Sequence, residues 1–576
     1  MLGGKNVSQC QRPATEAYNG AVFAFKKEIP DYMTDEAARP LDGVPKDLSI
    51  RAQGKIWASP NYRSDCTSVV ITSFAVIAAV LLRWSGLDSQ SLWMDEGYTL
   101  WISRFSPQQI WHALSIDTSP PLYYILLHYW LKCLGTSAIS LRALSALFGT
   151  LSILLVYLLA RKILADSTSV ALAMSLYAVS FYQIWYAKEA RCYALLVFLS
   201  LGSVYCLLLC LENQNRLRLC CLVLFLTAGL YTHNMALFYL PGIAVMWMVY
   251  PGERTILARV KDALLAFSAV FLLYIPWLPT LRRQLQMTHG NYWRTVPTVR
   301  GLLGSLCVFL GFDIESFKAI LHDRLHIRTP HPSAAVAVLF VLCVLGGLYR
   351  VHPADRRKVA SLLLYSLAPI LLAFVYSHCF NPIYDNRVFI GSCFLLSLVL
   401  CVPIAFQVGN RRKVFQVVGL LVLAGTVIST VEYPRWQRRE DWRGVTEYLM
   451  KLPERQRLVV IVPDNCQVLV QFYASSLRKS YLLPEMTGLL TKFDPPDPTL
   501  LFRILSGYGH KDVSALLSQA MVTGRYKEID VAMLPNAYPP SYIEPALEHL
   551  AASCASVEVV EFHRLEVRRC FVRAEY

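Results

Sequence analysis

A chain of 576 residues that is 55% hydrophobic and 16% charged has too few charges for a soluble globular protein, where about 25% is usual. A mean hydropathy of +0.40 and repeated long apolar runs make it a polytopic membrane protein. The net charge of +15 is then charge in the loops, not a nucleic-acid footprint, and the sixteen cysteines, many inside apolar runs and none in a CxxC pair, indicate neither a zinc site nor a redox motif.

Residues 1–64 are mixed polar sequence without a long apolar period and read as a cytoplasmic tail. The first span is expected over residues 67–82, with Arg51, Lys55 and Arg63 before it holding the amino terminus inside. Immediately after come LWMDEGYT and DTSPPLYY, which set three carboxylates, Asp95, Glu96 and Asp117, where the chain leaves the membrane. Carboxylates there are costly unless water, a cation or a polar substrate meets them, so they mark a candidate site. Residues 105–114 suit a helix lying in the membrane plane: Ser106 and Pro107 start it, and Ile110, Trp111 and Leu114 share one face. The run 120–134, about fifteen residues after a double proline, has the length of a re-entrant or in-plane helix.

Ten further apolar runs lie near 141–160, 168–186, 191–211, 219–232, 235–250, 261–279, 334–349, 359–377, 388–407 and 414–431, giving about eleven spans. Several are nearer 15 than 20 residues, which requires close packing or tilt. If residues 120–134 do not cross, fourteen Lys and Arg fall in cytoplasmic loops against Lys188, Arg191 and Arg387 in the short outer ones; if they cross, the bias inverts. The first arrangement gathers the polar outliers on one face: Asp95, Glu96 and Asp117; Lys188, Glu189 and Arg191; His233 and Asn234; and Asp385 with Arg387. A fourth outer loop, 280–333, adds Arg282, Arg283, His289, Tyr292, Trp293 and Arg294.

From about 436 the composition changes. Helical patterns at 442–451, 464–476, 511–522 and 541–553 alternate with β-branched runs at 457–462, 528–533, 556–562 and 566–573, which reads as an extracytoplasmic α/β domain over 436–576. It has no phosphate loop, dinucleotide fingerprint or nucleophile elbow. Cys554 and Cys570 are candidates for a disulfide, with Cys466 left over.

LWMDEGYTLW, DTSPPLYYILLHYWLKCLG, SLRALSALFG, IWYAKEARCYAL, LYTHN, PWLP followed by YW, and EDWRGVTEYL together resemble the GT-C membrane glycosyltransferases. The subgroup of the rhizobial lipopolysaccharide galacturonosyltransferases is the most similar, with the aminoarabinose transferase and the protein O-mannosyltransferases more distant. The resemblance runs from about residue 70 to 450, within an expected membrane domain at 65–435. It implies inverting transfer from a polyprenyl-phosphate sugar to an envelope glycan, lipid or protein on the non-cytoplasmic face of a bacterial plasma membrane. Asp95 resembles the family's first-loop catalytic acid, with Glu96 its neighbour, and Glu189 matches the second-loop acid. Lys188 stands where Gln is usual, and DTSPP lacks the lysine some distant relatives carry there.

The implied chemistry needs a carboxylate to accept the attacking hydroxyl's proton and cations on the departing phosphate. Asp95, with Glu96, takes the first role; Arg191, Lys188 and Arg387 are candidates for the second; Asp117, Glu189 and His233 are candidates for substrate or cation. A divalent cation held by several carboxylates stays open. A secondary transporter is the first rival, but no internal repeat is found and the acids lie in loops. A membrane scaffold presenting the C-terminal domain is the second.

Overall fold

The computed structural model describes residues 65–164, 166–213, 215–252, 254–288, 295–313, 332–349, 353–452, 457–463, 466–476, 486–487, 527–535 and 540–573. The expected tail 1–64, the loop residues His289, Tyr292, Trp293 and Arg294, and the helical pattern 511–522 lie outside them.

The chain enters the membrane as α1 (Cys66–Trp84), started by Asp65, whose side chain accepts from Thr67 N. Its large side chains Val70, Phe74 and Leu81 are exposed while Ala75 and Ala79 are buried, the pattern of a helix that shows bulk to lipid and packs through small residues. Three short helices follow: α2 (Met94–Ile102), α3 (Pro107–Leu114) and α4 (Leu122–Leu134). In α3 the expected start is a complete capping box between Ser106 and Gln109, with the proline in the first turn. With 13 residues, α4 is about 20 Å long, too short for a ~30 Å hydrocarbon core.

The remaining membrane helices are α5 (Ala138–Ile163), α6 (Ser167–Ala178) with α7 (Phe181–Ala187), α8 (Tyr193–Glu212), α9 (Arg216–Thr232), α10 (Tyr239–Val249) and α11 (Ile256–Tyr274). After α11 come α12 (Leu278–Thr288), α13 (Val299–Phe309), α14 (Pro332–Leu348), α15 (Pro353–Cys379), α16 (Ile390–Phe406) and α17 (Gly409–Trp436). Each of the eleven expected runs falls on one of these helices or on α1. Among the described residues seven helices are long and apolar enough to cross a membrane, eight if the α6–α7 pair, bent by 51°, is one span. The other three runs, also expected to cross, form the shorter helices α9, α10 and α14, so the structure has fewer full-length spans than the eleven expected.

The α6–α7 bend exposes backbone carbonyls inside the bundle, and buried polar side chains meet them. Arg83 of α1 donates to Tyr177 O at 3.1 Å and Ala178 O at 3.3 Å, and Thr430 donates to Val179 O. The bend lets α7 lead directly into the 188–192 turn, which carries three of the expected site residues.

After α17 the chain forms α18 (Trp442–Lys451), β1 (Arg457–Val462), α19 (Gln467–Ser476), β2 (Met486–Thr487), β3 (Glu528–Met533), α20 (Pro540–Ser553), β4 (Cys554–Phe562) and β5 (Leu565–Val572). The sheet order is β2-β1-β3-β5-β4; β1 runs parallel to β2 and β3, while β5 is antiparallel to β3 and β4. Cys554 and Cys570 are joined by a disulfide, and Cys466 is buried outside it. This region rests on the start of α2: the Tyr473 hydroxyl accepts from Leu92 N at 2.6 Å, and Glu440 Oε2 accepts from Met94 N at 3.0 Å. A Cβ added at Gly97 would meet Leu469 Cγ at 2.8 Å, so glycine permits this close approach.

Candidate active site

Two adjacent acids in the first turn of α2 favour the helix electrostatically, since the N-terminal dipole end attracts negative charge. Consecutive residues of a helix are about 100° apart, so the two cannot face the same way. Asp95 turns outward, 25% exposed, and Glu96 turns into the protein, with no exposure.

Asp95 Oδ2 accepts from Arg387 Nη1 at 3.4 Å and lies 3.9 Å from Arg191 Nη2. Arg387 is fixed by its own loop: Asp385 caps the short 3-10 turn Asn386–Phe389, accepting from Arg387 N at 3.1 Å and from Arg387 Nε at 2.8 Å. Burial opposes the charge of Arg387, but Tyr193, Asp385 and Asp95 outweigh it and hold the guanidinium protonated. Arg191 approaches from the opposite turn, donating to Thr99 Oγ1 at 3.5 Å and to the Tyr124 hydroxyl at 3.4 Å. Its Nε is buried without a partner, a donor left for a ligand oxygen. Asp117 lies beside the hydroxyl of Tyr98, one turn beyond Asp95 on α2.

Glu96 corrects the expectation of a catalytic pair. Its Oε1 accepts from Arg142 Nε at 2.8 Å and Ala190 N at 2.9 Å, and its Oε2 lies 2.6 Å from Arg142 Nη2 and 2.8 Å from Arg439 Nη1. Burial works against its charge, yet Arg142 and Arg439 win and hold the carboxyl down at about 2. Arg142 is itself saturated by Leu87 O, Gln90 O and Ser91 O. A carboxylate this fully paired has no lone pair left for a proton from substrate, so its geometry is that of an anchor beneath α2.

Lys188 also departs from expectation: Nζ points to Ser85 Oγ at the end of α1, 3.5 Å away, and makes no contact with Asp95 or Arg387. His233 caps the turn Asn234–Phe238, Nδ1 accepting from Met235 N at 3.1 Å; burial, with Arg191 and Arg387, pushes its pKa down to about 4. Its ring thus lies among the charges of Arg191, Arg387 and Asp385. Glu189 is 2% exposed, with Oε2 at 3.5 Å from Arg439 Nη2 and Oε1 unpartnered; burial pushes its pKa up to about 7, Arg439 only partly opposing.

Glu189 and Arg387 share a chamber of about 200 Å³ whose other walls include Trp185, Tyr433, Arg438, Arg439 and, from the C-terminal region, Arg564. Among the described residues no three His, Cys, Asp or Glu side chains assemble as a metal-binding group. Asp95 and Asp385 converge on Arg387, a donor set that does not fit a protein-held divalent cation.

Three groups central to this arrangement had no role assigned from sequence. Asp385 was legible only as the neighbour of Arg387. Arg142, an arginine at the head of an apolar run, signals by its cost in the membrane that it must have a partner. Arg439 carries no local signal.

Residues 118–279 match the family model described as "Dolichyl-phosphate-mannose-protein mannosyltransferase". No curated protein matches the chain significantly in sequence. Among solved structures, ArnT from Cupriavidus metallidurans bound to undecaprenyl phosphate is similar at 12% identity and a TM-score of 0.49, covering 88% of this chain and 98% of that one. The same organism's ArnT in the apo state gives 12% identity and a TM-score of 0.43 over 88% and 97%.

Proposed function

We propose that this chain is a GT-C membrane glycosyltransferase that moves a sugar, with inversion, from a polyprenyl-phosphate donor to a hydroxyl of an envelope acceptor on the non-cytoplasmic face of a bacterial plasma membrane. The observation that carries the reading is the position of Asp95, a half-open carboxylate 3.4 Å from Arg387 and 3.9 Å from Arg191. The acceptor's oxygen attacks the anomeric carbon, Asp95 takes the hydroxyl proton, and the bond to the phosphate oxygen breaks with its electron pair leaving on the polyprenyl phosphate. Arg387 and Arg191, held in place by Asp385, Thr99 and Tyr124, turn their free donors to that phosphate and stabilise the charge it gains.

A polyprenyl donor is supported by two features. The matched family is named for dolichyl-phosphate-mannose, a polyprenyl-phosphate sugar. A mainly apolar groove of about 540 Å³ between α12 and the end of α15, lined by Leu281, Leu285, Tyr376 and Phe380, opens beside Asn381, four residues before Asp385. It suits a prenyl chain whose head reaches Arg387. The Cys554–Cys570 disulfide supports an oxidising compartment for the C-terminal region.

The test is transfer of radiolabelled sugar by the purified protein from a panel of polyprenyl-phosphate sugars to an envelope extract. Label appearing in the extract only with such a donor supports the reading. No transfer with any donor overturns it and returns the transporter and the scaffold to the front.

A further inference from the structure

The chamber beside Arg387 shares two wall residues, Glu440 and Arg564, with a second, larger cavity of about 620 Å³. The outer cavity belongs mainly to the β4–β5 hairpin: Glu561, Phe562, Arg564, Leu565 and Glu566 form its wall. Two features of that hairpin are unfavourable on local grounds. Glu561 and Glu566 are direct cross-strand partners, like charges face to face. Arg564 has φ +60°, a left-handed conformation that a side chain other than glycine or asparagine rarely takes. The turn is nonetheless pinned to the segment leading from the last membrane helix, through Asp441 N donating to His563 O at 3.2 Å.

The charges of the two spaces differ in sign. The inner chamber has four arginines, Arg387, Arg438, Arg439 and Arg564, against Glu189 and Glu440, which complements a donor phosphate. The outer cavity is lined by three carboxylates, Glu440, Glu561 and Glu566, the last paired with Arg568 at 2.7 Å, and by Arg564, with Phe562 and Leu565 supplying apolar surface. An anionic acceptor entering there meets like charge, whereas hydroxyl groups satisfy both kinds of wall, donating to carboxylates and accepting from the guanidinium. We propose that the outer cavity is the acceptor subsite and takes an uncharged, hydroxyl-rich saccharide, with Arg564 and the Glu561/Glu566 pair as its specificity-determining residues. This rests on the transferase reading for the word acceptor, and on the cavity alone for the saccharide.

The test uses the full chain with its free cysteines replaced and Cys554–Cys570 kept. A thiol introduced by His563→Cys, on the exposed turn, is labelled with a maleimide in the presence of maltotriose, diacetylchitobiose, glucose 6-phosphate or inorganic phosphate. A neutral oligosaccharide should slow labelling and the phosphates should not. Arg564→Gly relieves the backbone at positive φ, so the protein folds at least as well. It should nevertheless abolish the protection and raise the half-saturating concentration of acceptor extract by about tenfold or more. Protection by phosphate instead of sugars, or unchanged acceptor saturation in Arg564→Gly, overturns the proposal. If the wild type transfers nothing while maltotriose or diacetylchitobiose still protects, the transferase reading fails and the saccharide site stands.

Discussion

Arg439 Nη1 lies 2.8 Å from Glu96 Oε2, joining the segment beyond the last membrane helix to the helix that carries Asp95. The same guanidinium reaches Glu189 Oε2 at 3.5 Å and Lys188 O at 3.4 Å and lies 5.0 Å over the ring of Trp185. The helix that carries the carboxylate at the centre of the proposed reaction is thus anchored from below by the ion cluster around Glu96.

Glu96→Gln and Arg142→Met should therefore act mainly on the fold. Removing one partner from a buried ion pair strands the other charge, at a cost of about 3–5 kcal/mol. Thermal unfolding of the purified protein in detergent should show a lower transition and poor accumulation for both. A Glu96→Gln protein with unchanged stability but lost transfer would instead make Glu96 a participant in the chemistry.

Asp95→Asn should behave in the opposite way. The side chain is a quarter exposed and Arg387 keeps its pair with Asp385, so the protein should accumulate. An amide cannot take the acceptor's proton, and loss of a general base costs about a hundred- to ten-thousand-fold, which the radiolabel transfer assay reads directly. Near-normal turnover would sink the mechanism.

Arg387→Lys and Arg191→Lys keep the charge but lose the planar fork that holds a carboxylate and a phosphate at once. Transfer should fall for both, more for Arg387, which also depends on the paired contact with Asp385. Measuring the rate against donor concentration separates weaker donor binding from slower chemistry; lysine variants with wild-type kinetics would reduce both arginines to helix-end anchors.

Glu189 makes a pH prediction with a definite sign. Its carboxyl is raised from an ordinary 4.5 to about 7, so between those values the folded protein holds a proton that the unfolded chain has released. Stability from this group is complete below 4.5 and is lost as pH rises to 7. Glu96, Arg439, Arg387 and Asp95 all face it, so the comparison must be with Glu189→Gln, which lacks the titration. The melting temperature of the variant relative to wild type should climb by a few degrees between pH 4.5 and 7 and then level off. A flat difference would mean that Glu189 is charged throughout.

The sidedness of the site is tested by impermeant labelling of single cysteines in intact cells. Thr118→Cys and His563→Cys should react, while Thr255→Cys and Lys413→Cys should not; all four positions are exposed. A reactive Thr118→Cys with the other three positions reversed would mean that α4 crosses the membrane and that the loop charges were read in the wrong sense.

Much of this architecture was legible in the chain itself, because the features that specify it are local. Every expected apolar run became a helix, since a run of apolar residues in a bilayer has no other way to satisfy its backbone. The Ser106–Pro107 start of α3 and the strands at 457–462 and 528–533 follow from neighbouring residues alone. Asp95, Arg191 and Arg387 stood out because charge at a membrane boundary is expensive wherever it occurs.

What tertiary structure decided is which way each charge points and what it meets. Asp95 and Glu96 are adjacent and chemically alike, yet a 100° step around α2 sends one to the cleft and the other to Arg142 and Arg439, the second of them 343 positions along the chain by residue number. Lys188 and Arg191 sit in one turn, and only the packing of α1 draws the lysine away to Ser85. The Glu561–Glu566 pair that faces the outer cavity depends on the β4–β5 register, and its nearness to Glu440 on how the hairpin docks. Ion pairs and cavity walls are made between residues remote in sequence, and their energies depend on burial and orientation, which no single stretch of chain contains.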